Sequence, residues 1–369
     1  MQKAAKSKPE SVNFLLPRLQ FCNLCPGLNE LPRRARAEIH PAAMSPEVHR
    51  LFSPEIRDEC FSRFRVTAAR LISNWHAFTF ETETPAGPCI LKITHSFHRT
   101  EDQVEAETDW MLFLVSRQVG VPRINASINS LCVERVPAGG SYFCVVSYER
   151  LTGEPIGDSL WNETLFRRWG ALIGKLHRLS REHVPKKRRY TWYESDFLNL
   201  EAYIPITDQE IRNGAERVVQ CVKDLPLSDF QYGLIHADVH QENLFWAKGD
   251  LLLFDFDNCE DGHYVSDIAI ALYAALWRDL DQPNPAQFSE RFLRALMLGY
   301  REEHALSRTE IEALPLFLQL REVLIYTVAK KMLDANNLTP IQARLLTQRG
   351  DRIRKNQPIV DLRAVLKSL

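Results

Sequence analysis

The stretch of the sequence with the densest set of reactive side chains is "GLIHADVHQENLFW", residues 233–246, which contains His236, Asp238 and Asn243 between apolar runs. Polar and ionised groups are costly to bury alone, so such a stretch needs partners or a ligand. A second apolar run, "LLLFDFD", follows it and brings Asp255. In a strand–loop–strand unit the first loop would lie beside the end of the second strand. Carboxylates and an amide oxygen gathered there suit a hard cation such as Mg²⁺, which keeps positions for substrate phosphates.

A lysine within an apolar strand is the second feature that could do chemistry. Lys92 lies in "CILKIT", and the helical segment that follows offers Glu105 and Glu107. A lysine buried beside a sheet needs a counter-charge, and kinases hold ATP phosphates with a strand lysine paired to a helix glutamate. Taken alone, Lys92 could instead belong to an edge strand and point into solvent. The polar segment at 233–246 favours the phosphate-binding interpretation.

The elements that must position these residues change in type near residue 150. Short alternating or β-branched segments before it predict strands, with one amphipathic helix, "RTEDQVEAETDWMLFLVSRQVG", among them. After "TGEP" the pattern is mainly helical and is interrupted by "YGLIHAD" and "LLLFDFD". Ser45 and Ser53 are expected to cap the first ordered helices. The sequence therefore predicts an α+β fold with a β-rich lobe followed by a larger helical lobe.

These patterns also give the expected boundaries. We assign residues 46–152 to the N-terminal lobe and residues 153–369 to the C-terminal lobe. Residues 1–45 mix Pro, Arg and Ala without a sustained period, so we expect a disordered extension. The basic run at 186–189 is expected to be a solvated loop.

The motifs resemble those of one known family. "LIHADVHQEN", "LLLFDFD" and "SDIAIALY" occur in the order found in the aminoglycoside phosphotransferase and choline-kinase-like family, the small-molecule branch of the protein-kinase fold. The resemblance covers roughly residues 66–335 and includes "CILKIT", "VVSYERLTGEP" and "WGALIGKLHRL". It implies a two-lobed protein-kinase-like fold and an ATP- and Mg²⁺-dependent transfer of phosphate to a hydroxyl group.

The resemblance also implies roles for particular residues. Asp238 would be the catalytic base, and Asn243 and Asp255 would hold Mg²⁺. Two further pairs would bind ATP: Lys92 and Glu107 at the phosphates, and the backbone of Glu149 and Leu151 at the adenine. Asp267 has two candidate roles, the N-cap of the helix that follows and, from the resemblance, support of the catalytic loop.

One expected feature is missing from the sequence. The segment before Lys92, "RLISNWHAFTFETET", contains no glycine, although a backbone cradle for phosphates usually relies on glycine. Ser73 and Asn74 are the polar residues available to contact the phosphates there. Because this glycine is missing, an alternative remains open, a nucleotide-binding pseudokinase with a regulatory role. Retention of the lysine, the base and both metal ligands favours an active enzyme.

The acceptor is the least defined part of the prediction. The candidate acceptor contacts are Asp257, Glu260, Arg321 and Glu322. Acidic groups would suit a cationic acceptor, such as an amino sugar or an amino alcohol, whereas Arg321 would suit the carboxylate of a hydroxy amino acid. A protein acceptor is disfavoured because only residues 256–266 separate Asp255 from Asp267, which leaves no activation segment.

Composition limits the remaining classes. The chain has 369 residues, 45% hydrophobic and 25% charged, with a formal net charge of -1. That balance gives no general attraction to nucleic acid or to an anionic membrane, and no apolar run is long enough to span a bilayer. Eight scattered cysteines do not form a disulfide framework. We therefore expect a cytoplasmic protein whose partner is a small molecule.

Overall fold

The computed structural model describes residues 44–228, 231–278, 283–367 and 369. The predicted extension at 1–45 lies outside these residues except for its last two. The first part of the chain forms a six-stranded sheet in which every pairing is antiparallel, in the order β1-β2-β3-β6-β4 with β5 beside β6. Its strands are β1 Ala68–Ser73, β2 Phe78–Thr84, β3 Gly87–His95, β4 Ile124–Asn125, β5 Glu134–Ala138 and β6 Ser141–Glu149.

Two short helices cover one face of this sheet. They are α1 Pro46–Leu51 and α2 Pro54–Ser62, and their N-caps are Ser45 and Ser53, as predicted. Each cap oxygen accepts a hydrogen bond from a backbone N–H three residues later, which satisfies a donor that the first turn leaves open. Alternate residues of the strands point into the apolar layer between helices and sheet, which contains Phe78, Phe80, Leu91, Ile93 and Phe143.

The opposite face of the sheet packs on the predicted amphipathic helix, α3 Glu101–Ser116. Thr100 and Gln103 form a reciprocal capping box at its start, which fixes where the helix begins. Trp110, Met111 and Leu114 are buried on its inner side and join the larger core that continues into the helical lobe. Glu107 lies on the same helix and is directed toward the sheet beside Lys92.

The second part of the chain is mainly helical. Its helices are α4 Glu163–Ser180, α5 Leu200–Tyr203, α6 Gln209–Lys223, α7 Tyr264–Arg278, α8 Pro285–Tyr300, α9 Arg308–Met332, α10 Pro340–Lys355 and α11 Arg363–Leu366. Helices α4 and α8 approach so closely that a Cβ atom on Gly170 would lie 1.8 Å from the carbonyl oxygen of Leu296. Glycine is therefore required where these two helices touch. None of the helices in the described ranges is long and apolar enough to cross a membrane.

Five short strands carry the polar loops of this lobe: β7 Glu154–Pro155, β8 Tyr232–Ile235, β9 Leu244–Ala247, β10 Asp250–Leu253 and β11 Glu260–His263. Strand β9 pairs with β10 and β7, whereas β8 pairs with β11. The two apolar runs around the polar segment therefore do not pair with each other as a strand–loop–strand unit. The first loop still lies beside the end of β10, because the Phe254 N–H donates to the Asn243 carbonyl at 3.1 Å.

Candidate active site

The loop after β8 is held in shape by a buried carboxylate. Asp267 Oδ1 accepts the N–H of Ala237 at 2.8 Å, and its Oδ2 accepts the N–H of His236 at 3.1 Å and faces Nε2 of His177 at 3.2 Å. Ala237 has φ 60°, a left-handed conformation that costs energy for a residue with a Cβ. Asp267 lies inside α7 rather than at its N-cap, so the capping prediction is wrong. Its second predicted role, support of the loop, is what the hydrogen bonds provide.

Asp238 follows this turn and lies between Arg321 and His240, whose pKa is raised by the neighbouring carboxylate despite its burial. Its Oδ1 accepts from Arg321 Nη2 at 2.7 Å, and its Oδ2 lies 3.4 Å from His240 Nε2 and 3.4 Å from Asn258 Nδ2. Burial opposes ionisation of the carboxyl, but His240 and Arg321 outweigh it and hold the pKa of Asp238 well below its usual range. The side chain of Asp238 is therefore an ionised carboxylate at neutral pH, and it forms an ion pair with Arg321.

Asn243 and Asp255 fit a divalent cation. Asn243 Nδ2 donates to the Asp238 carbonyl at 3.0 Å, while its buried Oδ1 accepts no hydrogen bond from any residue that the structure describes. Asp255 has φ 65°, a strained left-handed conformation of the kind that clusters at functional sites. The backbone hydrogen bond from the Phe254 N–H to the Asn243 carbonyl joins the two segments that carry these side chains. No cluster of three His, Cys, Asp or Glu ligands occurs among the described residues, so a cation here would take few protein ligands, as Mg²⁺ does.

Lys92 lies at the centre of an acidic cluster beneath the sheet. Its Nζ is 2.8 Å from Asp257 Oδ1, 3.8 Å from Glu107 Oε1 and 3.8 Å from Asp255 Oδ1. Burial would lower the pKa of Lys92, but these carboxylates outweigh it and raise the pKa. Glu105 does not take part, because it is directed to Lys187 on the surface. The predicted strand-to-helix ion pair therefore exists, and Asp257 is the closest carboxylate in it.

An apolar cavity lies next to this lysine, between the lobes. Its walls include Ile72, Ile90, Met111, Tyr148, Phe245 and Phe254. The end of β6 supplies Glu149, the connection after it supplies Arg150 and Leu151, and β1 supplies Ser73. The predicted adenine contacts, Glu149 and Leu151, therefore line the same cavity as Lys92 and Asp255. An apolar cavity whose lining also includes a lysine and carboxylates suits a nucleotide.

A larger cavity of about 700 Å³ is lined by Asp238. Glu260, Asn258, Arg321 and Asp238 contribute its polar lining near the loop. Burial, reinforced by the charge of Asp267, raises the pKa of Glu260 to about 8. A carboxyl group and a guanidinium therefore flank the aspartate in a space large enough for a small molecule.

Glu322 lies outside this cavity, although it follows Arg321 in the sequence. It is 1% exposed and binds Tyr273 Oη at 3.0 Å, Arg349 Nη1 at 3.3 Å and Arg352 Nη2 at 2.8 Å. Successive residues of a helix point about 100° apart, so the two neighbours face different parts of the lobe. The prediction of an acceptor contact for Glu322 is not supported by this geometry, since its charge joins α9 to α10.

Several residues around the site were missed in the sequence. Arg99 Nη2 and His98 Nε2 contact Asp257 Oδ2 at 3.3 Å and 2.9 Å. Arg189 is 3% exposed and donates to the carbonyls of Gln103, Cys259 and Asp257. The expectation that the whole basic run at 186–189 is solvated is therefore wrong for Arg189. Nothing in this run of like charges distinguished Arg189, whose hydrogen bonds link α3 to the segment after β10.

The two lobes and the cleft between them form the architecture of a protein-kinase-like phosphotransferase. The model of one family, described as the phosphotransferase enzyme family, matches residues 67–306. Amicoumacin kinase from Bacillus subtilis (strain 168) is 33% identical over 301 residues, which cover 80% of this chain and 90% of the relative. The chain belongs to the phosphotransferase enzyme family.

Solved structures agree with this assignment. Amicoumacin kinase hAmiN, in complex with AMP-PNP, Ca²⁺ and Ami, matches with a TM-score of 0.83 and 28% identity, covering 86% of this chain and 98% of that chain. The microcompartment-associated aminopropanol kinase matches with a TM-score of 0.65 and 18% identity, covering 82% of this chain and 98% of that chain, and it shares the fold. The predicted family and fold class are confirmed. The protein is a small-molecule kinase that uses ATP and a divalent metal ion, and the pseudokinase alternative is set aside.

Proposed function

We propose that the enzyme transfers the γ-phosphoryl group of Mg-ATP to a hydroxyl group of a small acceptor that also carries an amine, with Asp238 as the catalytic base. The observation that carries the proposal is the position of Asp238. It lines the large cavity, and the same loop leads to Asn243, whose backbone carbonyl accepts the N–H of Phe254, the residue before Asp255. A carboxylate between an acceptor space and a cation site is where a hydroxyl must lose its proton as it attacks phosphorus.

The role of Asp238 follows from its charge and its partners. The acceptor oxygen forms a bond to the γ-phosphorus, the bond from that phosphorus to the β–γ bridging oxygen breaks, and the hydroxyl proton passes to Asp238. A depressed pKa makes Asp238 a weak base, so its main contribution is to orient the hydroxyl and accept the proton late. Arg321 and His240 keep the carboxylate in one orientation, which lowers the entropy cost of alignment.

Asn243 and Asp255 are proposed to hold Mg²⁺, and Lys92 is proposed to contact the phosphates with Glu107 as its partner. When bound, the cation would neutralise charge on the phosphates as the bridging bond breaks. The open Oδ1 of Asn243 supports this assignment. Adenine would lie in the apolar cavity against the backbone of Glu149 and Leu151, the last strand residue and the first part of the connection.

The chemistry of the large cavity supports an acceptor with both an amine and an oxygen-rich part. Glu260 would bind an ammonium group, which would favour its ionised form, and Arg321 has donors for a carbonyl or carboxylate. This lining fits the three predicted acceptor classes, which are amino sugars, amino alcohols and hydroxy amino acids. Amicoumacin enters the proposal as a fourth candidate, because the relative at 33% identity is an amicoumacin kinase. Asp257 is proposed to position Lys92 rather than to touch the acceptor.

The test is a coupled measurement of ADP release with Mg-ATP and a panel of amicoumacin, amino sugars, amino alcohols and hydroxy amino acids. Asp238→Asn and the exposed control Asp224→Asn are assayed in parallel. The proposal predicts ADP formation that needs one acceptor class and Asp238, with normal rates in the control. Equal acceptor-dependent rates in the wild type and Asp238→Asn would contradict the assignment of the base. Phosphorus NMR of the product identifies the esterified oxygen.

A further inference from the structure

The loop between β1 and β2, which lacks glycine, is anchored to the helical lobe by a tryptophan. Trp75 is 4% exposed and packs with Val328 and Met332 of α9, which are equally buried, and with Phe197. A tryptophan at the tip of a connection between two surface strands would normally be exposed. Here it crosses the cleft and inserts between side chains of the other lobe.

The same loop borders both cavities. Ser73, at the end of β1, lines the nucleotide cavity, whereas His76 lines the acceptor cavity. The His76 ring stacks on that of His98, with centroids 4.7 Å apart and planes 6° from parallel. His98 in turn contacts Asp257, which pairs with Lys92. The loop is therefore connected to the lysine cluster on one side and to α9 on the other.

We infer that Trp75 is a positioning residue, which docks this loop on α9 and thereby holds it over the phosphates of the bound nucleotide. The inference rests on the proposed nucleotide cavity. Glycine-rich loops approach phosphates because their backbone is free of Cβ atoms. In this chain the loop is instead kept in place by burial of a large side chain in a socket formed by Val328, Met332 and Phe197, which we call the α9 socket.

A loop held in this way controls nucleotide exit. The nucleotide can leave the phosphate end of the cleft only when Trp75 leaves the α9 socket, so the dissociation rate depends on how well Trp75 is buried. Burial of a large apolar side chain shifts such an equilibrium by about 10- to 100-fold. Trp75→Ala should therefore speed dissociation by about that factor, while Trp75→Phe, which refills part of the socket, should recover most of it.

The experiment uses the full chain and a fluorescent AMP-PNP analogue with Mg²⁺, displaced by excess Mg-ATP in a stopped-flow instrument. The single variants are Trp75→Ala, Trp75→Phe and Met332→Ala. The double variant combines Trp75→Ala with Met332→Ala. Leu71→Ala is the control, because Leu71 is 48% exposed on β1, the strand that precedes the loop. Circular dichroism melting of each variant separates loss of folding from loss of docking.

The double variant tests whether Trp75 and Met332 act through the same contact. If Trp75 and Met332 act through one contact, the double variant should dissociate within about twofold of Trp75→Ala, because the socket is already empty. Unchanged dissociation in Trp75→Ala, or independent multiplicative effects of the two substitutions in folded protein, would overturn the inference alone. Absence of nucleotide binding by the wild type would instead refute the proposed nucleotide cavity.

Discussion

Replacement of Asp267 by asparagine tests how the catalytic loop is held. The carboxylate accepts the backbone N–H groups of His236 and Ala237 on different oxygens, and Oδ2 also faces the His177 ring nitrogen. An asparagine has one oxygen, so it can serve the Oδ2 side or the Oδ1 side, but not both. If its oxygen takes the Oδ2 position, its NH₂ faces the Ala237 N–H, which lies 2.8 Å from the oxygen it replaces. Two donors would then oppose each other in a buried site.

The expected loss of stability follows from the lost hydrogen bond and the unpaired donor. Loss of one hydrogen bond to a charged acceptor costs about 1.5–3 kcal/mol, and the buried unpaired donor adds about 1 kcal/mol or more. Asp267→Asn should therefore lower the free energy of unfolding by about 2.5–4 kcal/mol. Ala237 would also be free to leave its left-handed conformation, which moves Asp238. A displacement of about 1 Å at the base costs on the order of 100-fold in kcat.

The assay is steady-state kinetics with the acceptor identified by the ADP panel, together with thermal melting. We expect kcat to fall about 100-fold and the KM for Mg-ATP to change less than about threefold, because neither Lys92 nor Glu107 contacts Asp267. The control is Asp224→Asn, a carboxylate on the exposed surface. A normal kcat in a variant whose melting temperature has fallen as expected would refute the reasoning, since the loop would then keep its shape without both oxygens.

The remaining predictions concern the base, the cation and the acceptor. Asp238→Asn should lower turnover by about 10²–10⁴-fold and keep Mg-ATP binding, as measured by calorimetry; lost binding in folded protein would contradict its role. Asp255→Ala should raise the Mg²⁺ concentration needed for half-maximal rate at least about 10-fold. The control, Asp250→Ala at an exposed position, should leave that concentration unchanged. Equal magnesium dependence of the two variants would refute the metal assignment. Glu260→Gln should raise the KM of an amine-bearing acceptor above pH 8, where the wild-type carboxyl is ionised, and little at pH 6. Because the folded-state pKa of Glu260 is raised, its contribution to stability is complete below pH 4.5 and is lost as pH rises through about 8, so the melting temperature of the wild type should fall relative to Glu260→Gln over that range.

The sequence by itself determined the family, the two-lobed fold and the order of the site residues. Motif spacing selected Lys92, Asp238, Asn243 and Asp255 as candidates, because phosphoryl transfer needs these chemical types in a fixed order along this fold, and their roles remain proposals. Local rules were sufficient for the helix starts at Ser45 and Ser53, since a cap depends only on neighbouring residues.

Tertiary structure alone decided the direction of each side chain and the partners that are distant in the chain. Arg321 faces Asp238 while Glu322 faces α10, a difference set by the rotation of α9 in the lobe and not by composition. Arg189 is buried although its run of like charges predicted solvent, because three backbone carbonyls converge on it after folding. The pairing of β8 with β11 and the α9 socket for Trp75 join segments far apart in sequence. Such contacts depend on how whole elements pack, which no local pattern encodes.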